Sequence, residues 1–370
     1  MLSKKVIVSI LTLVLIFTAS HALASSYQFG GEVSTGLNSI FFEETNENYI
    51  YETVNLNLDF NNANFEITAS NNNLQQEFDI TLKKAYIRNK FIGTRVTLGK
   101  QPISWSFGSL INLVDYSLGA EALDEETSAK YVNAVEFHYP INWYSNVSLV
   151  TEFNNDVDPT KNYDKYGFRA RTLIKDYDVS FNYVKQDSQV SDINRWGLSF
   201  KGDIKNAGLY GAYTNINYQT TTIPEVNTQA FMVGTDYSYF LNQGFGNRLY
   251  MQGEYHRIEK NEGLRVLINS LAGAGVGLDP TKLLGGDEYF DILLTNVSYS
   301  INDFSSIGFF SLTSLEDGST ALIPNYQNQL TTNTTLNINL SYLSGEADQD
   351  FAGGVSFPEA ALNVELSYVF

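Results

Sequence analysis

The chain ends, at residues 360–370, in the stretch AALNVELSYVF, in which apolar side chains alternate with small or polar ones. One face carries Ala360, Leu362, Val364, Leu366, Tyr368 and Phe370, and the other carries Ala361, Asn363, Glu365 and Ser367. A period of two residues is that of a β-strand with one apolar and one polar face. The stretch therefore predicts a strand that separates an apolar environment from water.

The same alternation recurs along the chain in segments of about ten residues, the form of a membrane-spanning strand. Three clear examples are 53–60, 166–172 and 336–342. Alternation also fits a soluble β-sandwich, so the lengths of the connections between strands are needed to distinguish the two folds. Short and long connections take turns, and the longest are Ser104 to Lys130 and Lys260 to Asp287. This asymmetry predicts an all-β fold, a transmembrane antiparallel β-barrel with short turns on one side and long loops on the other.

The number of strands follows from the position of the two ends of the chain. A single-chain barrel whose ends lie on the same side needs an even number of strands. Thr320 to Leu330 must then be a strand, because Leu322, Tyr326 and Leu330 share one parity and a tight turn follows them. The count is about 18 strands, with 16 as the alternative, and a barrel of that size encloses an aqueous channel.

One strand breaks the alternation. Ile80 and Leu82 share parity with Lys84 and Arg88, so a regular strand would place two cations in lipid. A β-bulge at Lys83 to Lys84 would turn both cations inward. The sequence therefore predicts a bulge there.

The first 24 residues predict a cleaved secretory signal peptide, and residues 25–370 the barrel. Lys4 and Lys5 precede an apolar run, and Ala22-Leu23-Ala24 has the small-x-small form of a cleavage site. The alternative, a membrane anchor, needs roughly 20 consecutive apolar residues, more than this run provides. Beyond residue 24 no stretch of that kind occurs, and the chain has no cysteine. Any membrane span must therefore consist of strands without disulfide support.

Charged side chains with the parity opposite to the apolar one are predicted to line the lumen. They are Glu66, Arg95, Glu152, Arg169, Arg171, Arg195, Lys201, Asp236, Glu254 and His256. Acidic and basic groups on one wall create a transverse field that favours small polar solutes. The alternative is that these charges mainly pair with one another.

The long connection from Ser104 to Lys130 is apolar in its first half and acidic in its second. A long apolar loop that stood free would expose apolar surface to water, so this one is expected to fold into the barrel mouth and narrow the channel. The predicted constriction residues are Trp105, Asp115, Glu121, Asp124, Glu125 and Glu126. The alternative is an outer cap packed on neighbouring loops.

Acidic residues also concentrate in the predicted outer loops, and removal of Lys4 and Lys5 would change the formal charge from −18 to −20. Negative charge at a pore entrance concentrates cations, so a cation preference is expected, whereas nucleic acid would be repelled. No loop has the ordered ligand spacing of a calcium site, and neither a metal nor a cofactor is predicted.

Two histidines of the predicted barrel each share a face with a carboxylate, as Glu136 with His138 and Glu254 with His256. A triad would need a nucleophile placed beside such a pair, and the chain has no Gly-x-Ser-x-Gly, His-Glu-x-x-His or Walker motif. The sequence therefore predicts a protein that is not an enzyme.

The stretch 98–105, LGKQPISW, and the ending 366–370, LSYVF, resemble the bacterial outer-membrane porin superfamily, in its large single-chain members. The resemblance implies a bacterial outer-membrane location, outer-membrane lipid and small hydrophilic solutes or ions as partners, and Tyr368 and Phe370 as a signal to the barrel-assembly machinery. It leaves a homotrimer and a monomer both open. The expected function is a porin for passive diffusion, and the alternative is a closed structural or surface-binding barrel.

Overall fold

The computed structural model describes residues 27–72, 77–105, 107–117, 131–154, 163–189, 191–221, 224–242, 247–261, 264, 288–345, 349–351 and 358–370. The predicted signal peptide lies outside these residues and stays a prediction. Among the described residues, no helix has the length and apolar character needed to cross a membrane.

Within these described residues, eighteen β-strands form one sheet. Their bounds are β1 Tyr27–Phe41, β2 Asn46–Phe60, β3 Ala63–Asn72, β4 Glu77–Phe91, β5 Thr94–Pro102, β6 Tyr131–Pro140, β7 Ser145–Asn154, β8 Tyr163–Ile174, β9 Tyr177–Ser188, β10 Ser191–Ile204, β11 Ala207–Thr220, β12 Val226–Asn242, β13 Asn247–Glu259, β14 Tyr289–Ser300, β15 Ser305–Ser314, β16 Thr320–Gln329, β17 Thr334–Ser344 and β18 Ala360–Val369. The count of 18 and the strand at Thr320 are both confirmed.

The sheet closes on itself, because β1 pairs antiparallel with β18 as well as with β2. The closing register runs from Glu32 opposite Val369 to Phe41 opposite Ala360. Beyond it, the Gly31 N–H donates to the Phe370 carbonyl at 3.1 Å, and the Phe370 N–H donates to the Gly31 carbonyl at 3.0 Å. Closure pairs the strand edges that an open sheet would expose. The predicted all-β antiparallel barrel is confirmed.

The connections alternate in length, which gives the barrel two unlike ends. The short-turn end holds the connections that follow the even-numbered strands, such as 61–62 and 175–176. Lys175 and Lys205 have φ of 56° and 57° there, the left-handed conformation that two-residue hairpins require. The long-loop end holds 103–130 and 260–288, although the β9 to β10 connection on that side is itself only 189–190.

The bulge predicted in β4 is confirmed. Lys84 lies opposite Glu66 and Leu82 lies opposite Ile67, so the register skips Lys83. The extra residue turns Lys84 inward, where its Nζ lies 2.5 Å from Glu66 Oε2. It also leaves Ile87 on the outer face, where it is exposed.

The outer face of the barrel is apolar. Large side chains that alternate along the strands are exposed on it, among them Ile50, Phe65, Ile80, Leu149 and Leu198. Exposed apolar side chains in this arrangement form the lipid-facing band of a membrane barrel. The residues between them face inward and make up the interior.

Candidate functional site

The interior of the barrel has a filled side and an open side. On β11 to β15 most inward side chains are buried, and Tyr210, Glu254, His256 and Leu294 have no exposed surface. We call the apolar groups here the internal cluster. From the strands it contains Tyr210, Ala212, Ile216, Ala230, Met232, Ile258, Phe290, Ile292, Leu294, Phe310, Leu312 and Ala321, and from the connections Leu110, Ile111, Leu113, Val114, Leu264 and Phe351. A core of this kind closes the filled side to water.

The connection after β5 supplies much of this filling. We call its described part, residues 103–105 and 107–117, the internal loop. Leu110, Ile111, Leu113 and Val114 are almost completely buried against the wall. A loop carries backbone N–H and C=O groups that must find partners when it is buried. Two groups of wall side chains provide them, and a third holds the loop through its side chains.

The first anchor is Glu254 on β13. Its carboxylate accepts the backbone N–H of Leu110 at 2.5 Å and that of Ile111 at 3.4 Å. The Tyr210 hydroxyl donates to it at 2.9 Å, and His256 Nε2 lies 2.9 Å from its other oxygen. Gln252 adds a bond from its Nε2 to the Gly108 carbonyl at 3.0 Å. The carboxylate is thus used by the loop and the wall, and it does not face water.

The second anchor is Arg195 on β10, whose guanidinium is buried. It donates to the carbonyl oxygens of Leu113 at 3.1 Å and Tyr116 at 3.3 Å, and also to that of Asp115. One side chain therefore satisfies three carbonyl groups of the buried loop. The planar fork of arginine suits this role, because its five N–H groups are fixed in direction.

The third anchor is Glu152 on β7. It accepts hydrogen bonds from the Tyr116 hydroxyl at 3.1 Å and the Tyr163 hydroxyl at 2.6 Å. Lys165 Nζ lies 3.8 Å from Glu152 and 4.3 Å from the centre of the Tyr116 ring. Trp105 packs edge-on against the same ring at 5.3 Å. The last part of the internal loop is thereby fixed to the β6 to β8 wall.

Asp115 is not placed as a gate residue, and for this one carboxylate the expectation is corrected. It is 1% exposed, and its Oδ1 accepts the backbone N–H groups of Trp105 at 2.5 Å and Tyr116 at 2.7 Å. It therefore holds the loop in its own conformation and does not meet solutes. Trp105 is likewise buried. The other predicted constriction residues, Glu121, Asp124, Glu125 and Glu126, lie outside the described residues.

Several of the other predicted lumen charges occur in pairs. Arg171 binds Asp178 through Nε at 2.7 and 2.8 Å, and Lys201 lies 3.9 Å from Asp236. Glu66 is paired with Lys84. These contacts agree with the alternative stated for the lumen charges, in which charged side chains of the wall mainly pair with one another. Such pairing lowers the field that each charge sets up in the lumen.

Arg95 and Arg169 belong to a more basic part of the wall. Arg95 lies opposite His138, whose Nδ1 is 2.9 Å from the Ser148 hydroxyl. The buried Nε of Arg95 has no hydrogen-bond partner within the part of the chain that the structure describes. Arg169 faces the same side from β8, opposite Ser148. Together they form a basic strip on β5 to β8, which also holds the carboxylate of Glu136 on β6, opposite Thr97.

The open side runs from β16 through β18 to β3. Its inward side chains are mainly amides and hydroxyls, and they are partly exposed, although they lie on the inner face. Gln327 is the clearest case. Its side chain faces inward, as do those of its register partners Ser306 and Asn337, and it is nevertheless exposed. Tyr51 lies here too, with its hydroxyl 2.8 Å from Glu365 and 2.9 Å from the Asn363 amide. Water therefore reaches this wall.

The long-loop end is tied together by Asp317. Its carboxylate accepts the N–H of Ser319 at 2.8 Å, the Ser319 hydroxyl at 2.6 Å and the N–H of Asp350 at 2.7 Å. Although burial acts to raise it, these hydrogen bonds hold the pKa of Asp317 below its ordinary value. Burial raises the pKa of Asp350, which lies beside Asp317 and Glu316. The β15 to β16 and β17 to β18 connections are joined here.

The sequence did not identify Tyr210, Gln252 and Tyr163 as partners of the anchors. A signal for the filled side was nevertheless present. Ile258, Ile292 and Leu294 have the inward parity, and apolar residues at that parity are not expected in a wall that faces water. These inward residues are apolar because they pack in the internal cluster.

No family model and no curated protein matches the chain. Solved structures do match it. Pseudomonas aeruginosa OccK5 aligns with a TM-score of 0.58 and 8% identity over 93% of this chain and 98% of its own. Acinetobacter baumannii OccAB3 has the same TM-score and identity, over 94% and 100%, and Pseudomonas aeruginosa OccK11 has 0.53 and 10%, over 93% and 96%. These proteins are outer-membrane porins. The chain therefore has the fold of an outer-membrane β-barrel porin.

Proposed function

We propose that the protein is an outer-membrane porin through which small polar solutes diffuse passively, and that it prefers cations. The observation that carries the proposal is the open side, where inward amides and hydroxyls are partly exposed along the wall from β16 to β3. A polar, wetted wall inside an apolar outer belt is what a diffusion channel requires. The porin fold of the solved structures supports the same reading.

The cation preference has a separate basis. Glu43, Glu44 and Glu47 are exposed at the long-loop end, as is Glu359. On the open side, Glu32, Asp59 and Glu365 are inward carboxylates, and so is Glu66, which is paired with Lys84. Negative potential at the mouth and along the path raises the local concentration of cations. The basic strip attracts anions instead. Measuring whether the channel prefers cations or anions therefore tests the proposal.

The proposal is tested in planar lipid bilayers. We expect stepwise conductance and, in a salt gradient, a reversal potential that indicates a cation preference. An anion preference would overturn the selectivity, and Arg95→Gln would then be expected to reduce it. A folded protein that gives no conductance would overturn the channel itself. That outcome would favour a closed structural barrel, for which the internal cluster is the specific support.

The constriction is tested by removing residues 105–126. The internal loop fills one side of the interior, so its removal should increase the single-channel conductance severalfold. Gel mobility before and after heating shows whether the barrel still folds. An unchanged conductance from a folded variant would reject the loop as the element that narrows the channel.

A further inference from the structure

The inward side chains of β16, β17, β18 and β1 form a continuous band of amides. We call Asn325, Gln327, Asn337, Asn339, Asn363 and Asn38 the amide wall. They are adjacent through the strand register, since Asn325 lies opposite Asn339, Asn339 opposite Asn363, and Asn363 opposite Asn38. In the next row Gln327 lies opposite Asn337. The band crosses four neighbouring strands, and the carboxylate of Glu365, which lies opposite Asn337, borders it.

Four of these amides are available to a solute, whereas Asn38 and Asn363 donate hydrogen bonds to the Tyr49 and Tyr51 hydroxyls. Asn325, Gln327, Asn337 and Asn339 have partly exposed or exposed side chains. Within the described residues, no hydrogen bond joins their side-chain amides to another group, whereas the charged groups of the wall are largely occupied with each other. Each amide carries two donors and one acceptor oxygen. Such groups match hydroxyl groups, which also donate and accept.

A cavity of about 420 Å³ lies at the short-turn end of this wall. Ser306, Gln327, Gln329 and Thr335 line it with polar groups, and Phe304 adds an aromatic ring. Of the described residues that line it, only Asp303 carries an ionisable side chain. Its volume lies within the range of small-molecule sites. An aromatic ring beside several amides and hydroxyls suits a solute that has both C–H faces and hydroxyl groups.

We infer that the amide wall and this cavity form a binding site for neutral polyhydroxylated solutes of the size of a mono- or disaccharide. The inference rests on the proposed function and specifies its solute class. A charged solute of the same size would give up hydration for amide partners that do not neutralise it, whereas a sugar exchanges hydrogen bonds of equal kind. Ion flow would use the same water-filled side, so a bound sugar should obstruct it.

The test measures ion current through single channels while sucrose is added. We expect the current to fall in a saturable way, beyond the fall in bulk conductivity. The double variant Gln327→Leu with Asn337→Leu removes two amides and should raise the half-saturating concentration about tenfold. Asn146→Leu is the matched control, because Asn146 faces inward from β7, on the opposite wall. It should leave the value within about twofold of that of the native protein.

The outcomes separate the two proposals. Normal conductance with a sucrose effect no greater than the bulk change would overturn the binding site and leave the channel intact. Gluconate or glucosamine acting at lower concentration than sucrose would overturn the solute class. No conductance at all would overturn the proposed function. If the double variant does not fold, Gln327→Asn and Phe304→Ala test the site with smaller changes, and unchanged sucrose affinity in both would reject it.

Discussion

At the scale of single residues, Glu254 has the largest structural role in the interior. It is fully buried and accepts bonds from two backbone groups of the internal loop as well as from Tyr210. A hydrogen bond to a charged group contributes about 1.5 to 3 kcal/mol, and a buried donor left without an acceptor costs a similar amount. The carboxylate therefore decides whether the loop stays on the wall.

We expect Glu254→Gln to weaken the docking of the internal loop by about 3 kcal/mol, because one acceptor oxygen becomes a donor amide. Single channels should then show a larger and noisier conductance, and the loop should be cut faster by protease. Glu52→Gln is the control, since Glu52 is exposed on β2. Native conductance and native protease resistance in Glu254→Gln would contradict the anchor.

A second residue-scale prediction concerns acid. The pKa of Asp317 is held low by its hydrogen bonds, so the stability it contributes is present above the ordinary aspartate pKa of roughly 4. That stability is lost as the pH falls through the lowered value. Asp350, whose pKa burial raises, acts in the opposite direction, because its contribution is greatest when it is protonated.

Asp317→Asn should therefore loosen the 349–351 segment at neutral pH, where the native carboxylate is charged. We expect amide exchange of the Ser319 and Asp350 N–H groups to accelerate about tenfold at pH 6, and the difference from the native protein to shrink below pH 4. Asp303→Asn, at the other end of the barrel, serves as the control. Equal exchange in the native and variant proteins at pH 6 would refute the role of this carboxylate.

At the scale of elements, the alternation of the strands was readable from the sequence because each face meets one medium. The terminal strand and β16 follow it closely. The bulge in β4 was predictable for the same reason, since two cations could not remain on an apolar face. The internal loop was predicted to enter the barrel from its length and apolar content alone.

The partners of that loop could not be predicted. Glu254, Arg195 and Glu152 were predicted to lie on the inner face. The alternation assigns a side chain to a face of the strand, but it does not tell whether that side chain contacts water or a loop folded into the barrel. Asp115 shows the difference: an acidic residue in a loop over a pore suggests a gate, whereas the two N–H groups it accepts lie within its own loop. The bonds from Glu254 and Arg195 to the loop, by contrast, depend on the folded position of residues far apart in sequence.

The bulge gives an element-scale prediction. Deletion of Lys83 leaves Leu82 outward and Lys84 inward, so the strand becomes regular and should still assemble. Deletion of Ile87 instead turns Arg88 and Lys90 outward, which places cations on the lipid-facing side at a cost of up to a few kcal/mol each. Heat-modifiable gel mobility should be retained by the first variant and reduced in the second. Equal loss in both would contradict the account of the bulge.

At the scale of the whole molecule, the first and last strands complete the barrel. The Phe370 ring lies 6.2 Å from that of Phe29, and its atoms lie close above Gly31, where a Cβ would come within 2.7 Å of them. Phe370 therefore contacts the seam, and these contacts could contribute to closure independently of the proposed role as an assembly signal. The two roles can be separated by experiment.

We expect Phe370→Ala to lower the amount of folded protein in the outer membrane severalfold while refolding into detergent proceeds within about twofold of the native rate. That combination indicates a signal read by the assembly machinery, because detergent contains none. Phe60→Ala, another exposed aromatic of the outer face, is the control. A parallel loss in detergent would assign the ring to closure of the barrel, and full yield in cells would exclude the signal.

The internal cluster has a calorimetric consequence. A hollow barrel exchanges lipid or detergent contacts on its outer face and water contacts on its inner face when it unfolds, so little apolar surface newly meets water. Here, unfolding would expose the packed groups around Tyr210, Leu294 and Leu113 to water, and hydration of apolar surface raises the heat capacity. The protein in detergent should thus unfold with a positive heat-capacity change, like a water-soluble domain. The variant without residues 105–126 should show a smaller one.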